Sequence, residues 1–311
     1  MTSSRPPAEV LAFNDRIAEE TRDLPRIWDV GASAVRLARE EGRSVFGDIV
    51  RSDRARMLEI PGPAGPIQLR VISPAAVRGV YLHLHGGGWA LGANDHADLL
   101  NERLADATGL AIVAPGYRLA PEHPYPAGPD DCEAAAVWLV EHSFERFGTD
   151  VLTIGGESAG AHLAAVTMIR VRDRLGANPF AAAALIYGAY DLRDTPSVSA
   201  FGDQPLILNE PNIKWFVEQF AAGEDLTRAD ISPLFADLSG LPPALFLVGD
   251  NDPLLDDSLF MDARWRAAGN ESLLEIWPGG IHAFDFFDNV YGRAARDSIH
   301  SFLNDVLTRP H

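Results

Sequence analysis

Val151-Leu152-Thr153-Ile154-Gly155-Gly156-Glu157-Ser158-Ala159-Gly160-Ala161-His162-Leu163 decides how this chain is read. An apolar run ends in Gly-Glu-Ser-Ala-Gly, and a helix-like stretch follows from Ala161 to Val171. Strand, sharp turn and helix around a central Ser form the setting in which G-x-S-x-G makes a nucleophile elbow. Such a turn strains the Ser backbone, and flanking glycines let strand and helix approach closely. The Ser hydroxyl then stands at the end of a sheet, over a helix N-terminus whose amides favour negative charge.

Outward from the elbow, strands and helices alternate. Helix is expected near 95–108, strand at 110–114, helix at 130–146, strand at 151–155, helix at 159–174 and strand at 182–187. The rhythm resumes with strand 244–248, helix 256–268, strand 272–277 and a last helix near 291–308. Alternation of this kind implies right-handed crossovers and a doubly wound, mostly parallel α/β sheet. Short β-rich runs at 54–60, 67–73 and 79–84 are expected to add an antiparallel edge. Residues 7–41 have helical periodicity, interrupted by Pro25 and Gly31. Residues 192–230 break the alternation with three prolines around a helical stretch at 213–220. Links between such elements are usually about 2–6 residues, so this segment is more than a connection. The chain therefore divides into an N-terminal helical part at 1–50, a core at 51–191, an insertion at 192–230 and the rest of the core at 231–311. The first and third parts are expected to cap the carboxyl ends of the strands.

Composition narrows the function classes. A chain of 311 residues, 47% hydrophobic and 23% charged, suits a soluble globular protein with a sizeable core. A net charge of −18 argues against nucleic acid as a partner. Cys132 is the single cysteine, so no intrachain disulfide can form; flanked by Asp131 and Glu133, it reads as a buried structural thiol. The opening Met1-Thr2-Ser3-Ser4-Arg5-Pro6-Pro7 has no signal-peptide apolar core, and no stretch approaches the ~20 apolar residues of a membrane span. A cytoplasmic location and no membrane partner are the expectations.

A nucleophilic Ser needs a base, an acid to orient it, and donors for an oxyanion, with the triad in the order Ser, Asp or Glu, His. Downstream of Ser158 stand His162, His282, His300 and His311. His162 is one turn into the elbow helix, where it is expected to pack beneath the Ser. His300 falls within the last helix and His311 ends the chain. His282 follows strand 272–277 in Pro278-Gly279-Gly280-Ile281-His282, where the base must reside. The acid lies at the end of strand 244–248, in Gly249-Asp250-Asn251-Asp252-Pro253-Leu254. Pro253 stiffens the backbone behind Asp252, which is favoured; Asp250 is the reserve, readable as a turn-former. Asp256 and Asp257 read as N-terminal charges on the next helix. His85-Gly86-Gly87-Gly88-Trp89 closes strand 79–84 and can supply the amides of Gly87 and Gly88, beside that of Ala159. Trp89, Ile213, Trp215, Phe216, Leu254 and Phe284 are candidates for the acyl pocket or cap, each equally readable as core.

With these parts assembled, the chain resembles the bacterial hormone-sensitive-lipase-like esterases, a branch of the α/β-hydrolases. Four blocks carry the resemblance: His85–Trp89; Tyr117-Arg118-Leu119-Ala120-Pro121-Glu122-His123-Pro124-Tyr125-Pro126-Ala127; Gly156–Gly160; and Asp252-Pro253-Leu254 with Ile281-His282. The Tyr117–Ala127 block is the most specific, because general hydrolase mechanics do not demand it. The resemblance implies an α/β-hydrolase fold with a helical cap. It also implies a serine carboxylesterase that cleaves short- to medium-chain acyl esters through a Ser-His-Asp triad and an acyl-enzyme, without metal or cofactor. A small-molecule ester and water are the implied partners, with a homodimer left open. Glu157 departs from the Asp usual in this family before the nucleophile. Gly160-Ala161-His162-Leu163 is also similar to the elbow of kynurenine-formamidase-like relatives, which keeps amide or formamide hydrolysis as an alternative. A non-catalytic ligand-binding protein on this fold, or a lipase of long-chain interfacial substrates, would be the other readings. The first is expected to lack part of the triad, and the second to expose a long apolar stripe on the cap.

Overall fold

The computed structural model describes residues 5–309, so Met1–Ser4 and Pro310–His311 lie outside the described residues. Its strands are β1 (Arg56–Ile60), β2 (Ile67–Ile72), β3 (Gly79–Leu84), β4 (Leu110–Pro115), β5 (Leu152–Glu157), β6 (Phe180–Ile186), β7 (Ala244–Gly249) and β8 (Ser272–Trp277). Among the described residues they form one sheet in the order β1-β2-β4-β3-β5-β6-β7-β8. β2 runs antiparallel to both neighbours, and every pairing from β4 to β8 is parallel. The expected antiparallel edge is therefore the β1–β2 hairpin with its seam to β4.

A parallel sheet covered on both faces needs strands that are apolar on both sides, and β3, β4 and β7 are buried along their whole length. Alternation assigns each face. Val80, Leu82 and Leu84 join an apolar cluster that includes α4 (Ala127–Phe147) and α5 (Ala159–Leu175). Tyr81 joins another, with α3 (Asp98–Thr108) and α9 (Val290–Leu307). α4 starts three residues before the expected 130, running through Pro129. Proline is tolerated there because first-turn amides have no intrahelical acceptor.

The N-terminal helices are α1 (Ala8–Arg22) and α2 (Ile27–Glu40), and Gly31 takes a left-handed φ of 80° inside α2, where helical periodicity was interrupted. The 192–230 segment holds α6 (Pro196–Phe201) and α7 (Glu210–Ala221), and α2 packs against α7. α8 (Leu255–Ala267) completes the core.

Candidate active site

Ser158 occupies the turn between β5 and α5 with φ 56° and ψ −122°. A non-glycine residue held there costs about 1–3 kcal/mol, which surrounding structure must offset. Its amide donates to the Ile186 carbonyl (2.9 Å) and its carbonyl accepts from the His162 amide (3.2 Å). The turn closes only because its glycines lack side chains: a Cβ on Gly156 or on Gly160 would overlap the Leu84 carbonyl oxygen.

His282 reaches this hydroxyl from the loop after β8. Its Nε2 lies 2.9 Å from Ser158 Oγ, and its Nδ1 lies 2.9 Å from Asp252 Oδ2. Asp252 is 2% exposed, and its other carboxylate oxygen accepts the Leu254 amide at 2.8 Å. A buried carboxylate on Nδ1 fixes the tautomer that leaves Nε2 as acceptor toward the hydroxyl. The loop carrying the imidazole is braced at successive peptides. Tyr291 donates to the Pro278 carbonyl (2.6 Å), Asn14 of α1 to the Gly279 carbonyl (2.8 Å), and the Asn251 amide to the Gly280 carbonyl (3.1 Å). Asp250 accepts the Gly279 amide at 2.5 Å. The reserve carboxylate is thus a brace of the base loop.

The glycine loop at 85–89 faces the elbow with left-handed φ at Gly87 (114°) and Gly88 (58°). Its carbonyls are held elsewhere: His85 by the Tyr117 hydroxyl (2.7 Å), Gly86 by His85 Nδ1 (2.8 Å), Gly87 by the Leu91 amide (2.7 Å) and Trp89 by the Ala120 amide (2.9 Å). Burial lowers the His85 imidazole to about 4, so it is neutral and its Nδ1–H donates. The amides of Gly87, Gly88 and Ala159 have no protein acceptor among the described residues. Three such amides beside a serine hydroxyl suit a developing oxyanion.

Here the Tyr117–Ala127 block acquires a physical role. Tyr117 stacks on His85, ring centroids 4.2 Å apart, and holds its carbonyl. Arg118 pairs in bidentate fashion with Asp131 in α4 (2.8 Å at both oxygens). Arg36 of α2 reads both the block and Ala90, the residue that follows the glycine loop. Its guanidinium donates to the Ala90 and Ala120 carbonyls (2.7 Å each) and to both oxygens of Glu122 (2.9 Å each). The sequence carried no sign of Arg36, since the contact spans more than fifty residues and helix periodicity is silent on it.

Other candidates fall in different places. Phe216 lies over the glycine loop, where a Cβ on Gly88 would overlap its ring, and Trp215 packs edge-on against Phe216 at 5.4 Å. Trp89 is 5% exposed, stacked on Phe220 at 4.6 Å, so it anchors the loop in the core. Ile213 and Leu254 are buried in that same apolar cluster. Phe284 is buried, with its ring against Trp277 and Tyr291, and it lines a cavity of about 240 Å³ between α1 and the start of α9. His162 is buried one turn into α5, with its amide bonded to the Ser158 carbonyl. Its Nδ1 accepts from the Trp89 indole (3.0 Å) and its Nε2 donates to the Ile231 carbonyl (2.8 Å), which ties α5 to the end of the insertion. Burial lowers it to about 4, consistent with that neutral tautomer. Asp257 is more than a charge at the start of α8. It is buried and accepts from the Tyr190 amide (2.6 Å), the Asp191 amide (2.9 Å) and the Thr195 hydroxyl (2.9 Å). Cys132 is buried as expected, and burial pushes its thiol up.

Among the described residues no three His, Cys, Asp or Glu side chains converge as a metal would require, and no helix is long and apolar enough to cross a membrane.

A sequence model of the α/β-hydrolase fold family matches residues 81–286. The carboxylic ester hydrolase LipN of Mycobacterium tuberculosis is 33% identical over 308 residues, covering 90% of this chain and 81% of that protein. The carboxylesterase NlhH of the same organism is 36% identical over 74% of each chain. Among solved structures, a hyperthermophilic esterase from the archaeon Pyrobaculum calidifontis superimposes with a TM-score of 0.87, at 31% identity over 97% of this chain and 99% of that one. By this match, and by the motif blocks that lie within it, the chain belongs to the α/β-hydrolase family as a hormone-sensitive-lipase-like esterase.

Proposed function

We propose that the protein hydrolyses short- to medium-chain carboxylic esters, with Ser158 as nucleophile, His282 as base and Asp252 as the acid that orients it. The observation that carries this reading is the imidazole of His282, 2.9 Å from the hydroxyl on one side and 2.9 Å from the carboxylate on the other. His282 takes the Ser158 proton as Oγ attacks the ester carbonyl, while Asp252 stabilises the imidazolium. The carbonyl oxygen becomes an oxyanion received by the amides of Gly87, Gly88 and Ala159, each worth about 3 kcal/mol of barrier. The imidazolium then protonates the leaving alcohol, and water, activated by the same base, releases the acid from Ser158.

Residues 1–50 and 192–230 form the cap in this reading, over a core of 51–191 and 231–311. Support comes from Arg36 holding the Ala90 carbonyl, next to the glycine loop, and Phe216 lying over Gly88. A ring so close to the oxyanion donors leaves room for small acyl groups, which favours short chains. Ser158→Ala is expected to remove nearly all hydrolysis of p-nitrophenyl butyrate with the fold intact. Activity retained by the purified, folded variant refutes the assignment, and a series of p-nitrophenyl esters from acetyl to decanoyl tests the chain-length limit.

A further inference from the structure

Glu157, the residue before the nucleophile, places one carboxylate oxygen 2.9 Å from the Gly86 amide and the other 3.0 Å from His83 Nε2. Asn101 of α3 approaches His83 Nδ1 with its amide nitrogen at 3.2 Å. An amide nitrogen only donates, so Nδ1 is the acceptor and Nε2 carries the hydrogen that Glu157 receives. Both His83 and Asn101 are buried, which fixes the direction of this chain of bonds. Gly86 leaves the space the arrangement needs, since a Cβ there would come 3.3 Å from Glu157 Cγ and 2.8 Å from its carbonyl oxygen.

We infer that Glu157 is a positioning residue that sets the width of the oxyanion site. One donor, the Ala159 amide, is two residues past Glu157; the others, at Gly87 and Gly88, follow directly on the residue Glu157 holds. A single side chain thus ties the elbow to the glycine loop across the place where the oxyanion forms. The loop needs such a tie, because glycines at φ 114° and 58° have many other conformations open to them. Asn101 and His83 in turn hold the carboxylate, so the clasp is anchored in the sheet and in α3. The role is geometric: what matters is an acceptor at the Gly86 amide, and the negative charge itself is dispensable.

This inference rests on the Ser158 reading, and the test separates the two. Glu157→Met keeps the shape and removes the acceptor. Glu157→Gln keeps shape and one acceptor, with His83 and the Asn101 amide able to reverse their bonds. Kinetics with p-nitrophenyl butyrate are read beside the inhibition constant of an alkyl trifluoromethyl ketone, whose serine adduct puts an oxyanion in the same site. Glu157→Met is expected to lower kcat about 10- to 100-fold, the scale of a displacement of about 1 Å, with KM little changed. The inhibition constant rises by the same factor, whereas a loss of packing alone lowers the melting temperature and leaves both ratios near those of the wild type. Glu157→Gln recovers most of kcat. Glu157→Ala opens onto a neighbouring cavity of about 60 Å³ and carries the same expectation, so the outcome does not hang on one variant folding. Wild-type kcat in the Met or Ala variant, or equal loss in Met and Gln, overturns the clasp. An active Ser158→Ala overturns the triad reading instead.

Discussion

Asp257→Asn gives the most quantitative test of the forces around the site. The carboxylate is buried at the junction of α8 with the start of the insertion, five residues beyond Asp252. Two effects oppose each other there. Loss of hydration favours the neutral acid, and three donors, from Tyr190, Asp191 and Thr195, favour the anion. Desolvation is the larger, and it pushes the carboxyl up from 3.8 to about 7. A carboxyl raised on folding contributes its full stability below the unfolded pKa, where both states are protonated. That stability is lost as pH rises through the folded pKa, because ionisation is easier in the unfolded chain. The loss, at 1.36 kcal/mol per unit, comes to about 4 kcal/mol across pH 4 to 8. Asparagine fits the same socket: its oxygen keeps the two backbone amides, and its amide nitrogen faces the Thr195 hydroxyl, which can accept instead of donate. Wild type and variant are therefore expected to have similar stability near pH 4 and to diverge steadily from there to about pH 7, the variant ending about 4 kcal/mol more stable near pH 8. Urea unfolding followed by circular dichroism at pH 4, 5, 6, 7 and 8 measures the difference, and other titrating groups cancel between the two proteins. A gap that stays constant with pH, or one that favours wild type as pH rises, refutes the reasoning and means that the three donors outweigh desolvation.

The remaining predictions concern the glycine loop. Gly88→Ala forces a left-handed residue to carry a Cβ into the Phe216 ring and is expected to lower kcat by about 100-fold or more. Adding Phe216→Ala relieves the overlap but not the backbone strain, so the double variant recovers only part of the loss; full recovery would mean that crowding alone was responsible. Arg36→Ala removes two bonds to main-chain carbonyls and a half-exposed pairing with Glu122, and it is expected to lower kcat/KM for p-nitrophenyl butyrate about three- to tenfold with a melting point a few degrees lower. Unchanged kinetics in that variant would remove α2 from the account of the site.

How much was legible follows from the range over which each feature is decided. β3 and β7 could be read almost to the residue, since a strand buried on both faces writes a continuous apolar run into its own few residues. The elbow, the base loop and Asp252 were legible for a related reason: glycines, a proline and strand ends record local backbone demands, and chain order did the rest. Asp250 shows the limit. Two carboxylates on one strand end are alike in sequence, and only the Gly279 amide bonded to Asp250 and the imidazole bonded to Asp252 tell brace from partner.

The features that escaped are all decided by contacts between distant segments. Phe284 read equally as pocket or core, and only the fold shows the 3₁₀ turn at Phe284–Phe286 setting its ring against Trp277 and Tyr291. Arg36, Glu157 and Asp257 are charged residues in helices or at strand ends, where a solvated role is the ordinary expectation. Each proves to be bonded to backbone, from 54, 71 and 67 residues away. A charge spent on main-chain amides or carbonyls leaves no periodic trace, because its partner is a peptide group that any residue supplies. The proposed catalytic side chains announce themselves through residue type, whereas the groups that hold the amides in place do not. The precision of the proposed oxyanion site therefore depends on the part of the molecule that sequence motifs describe least.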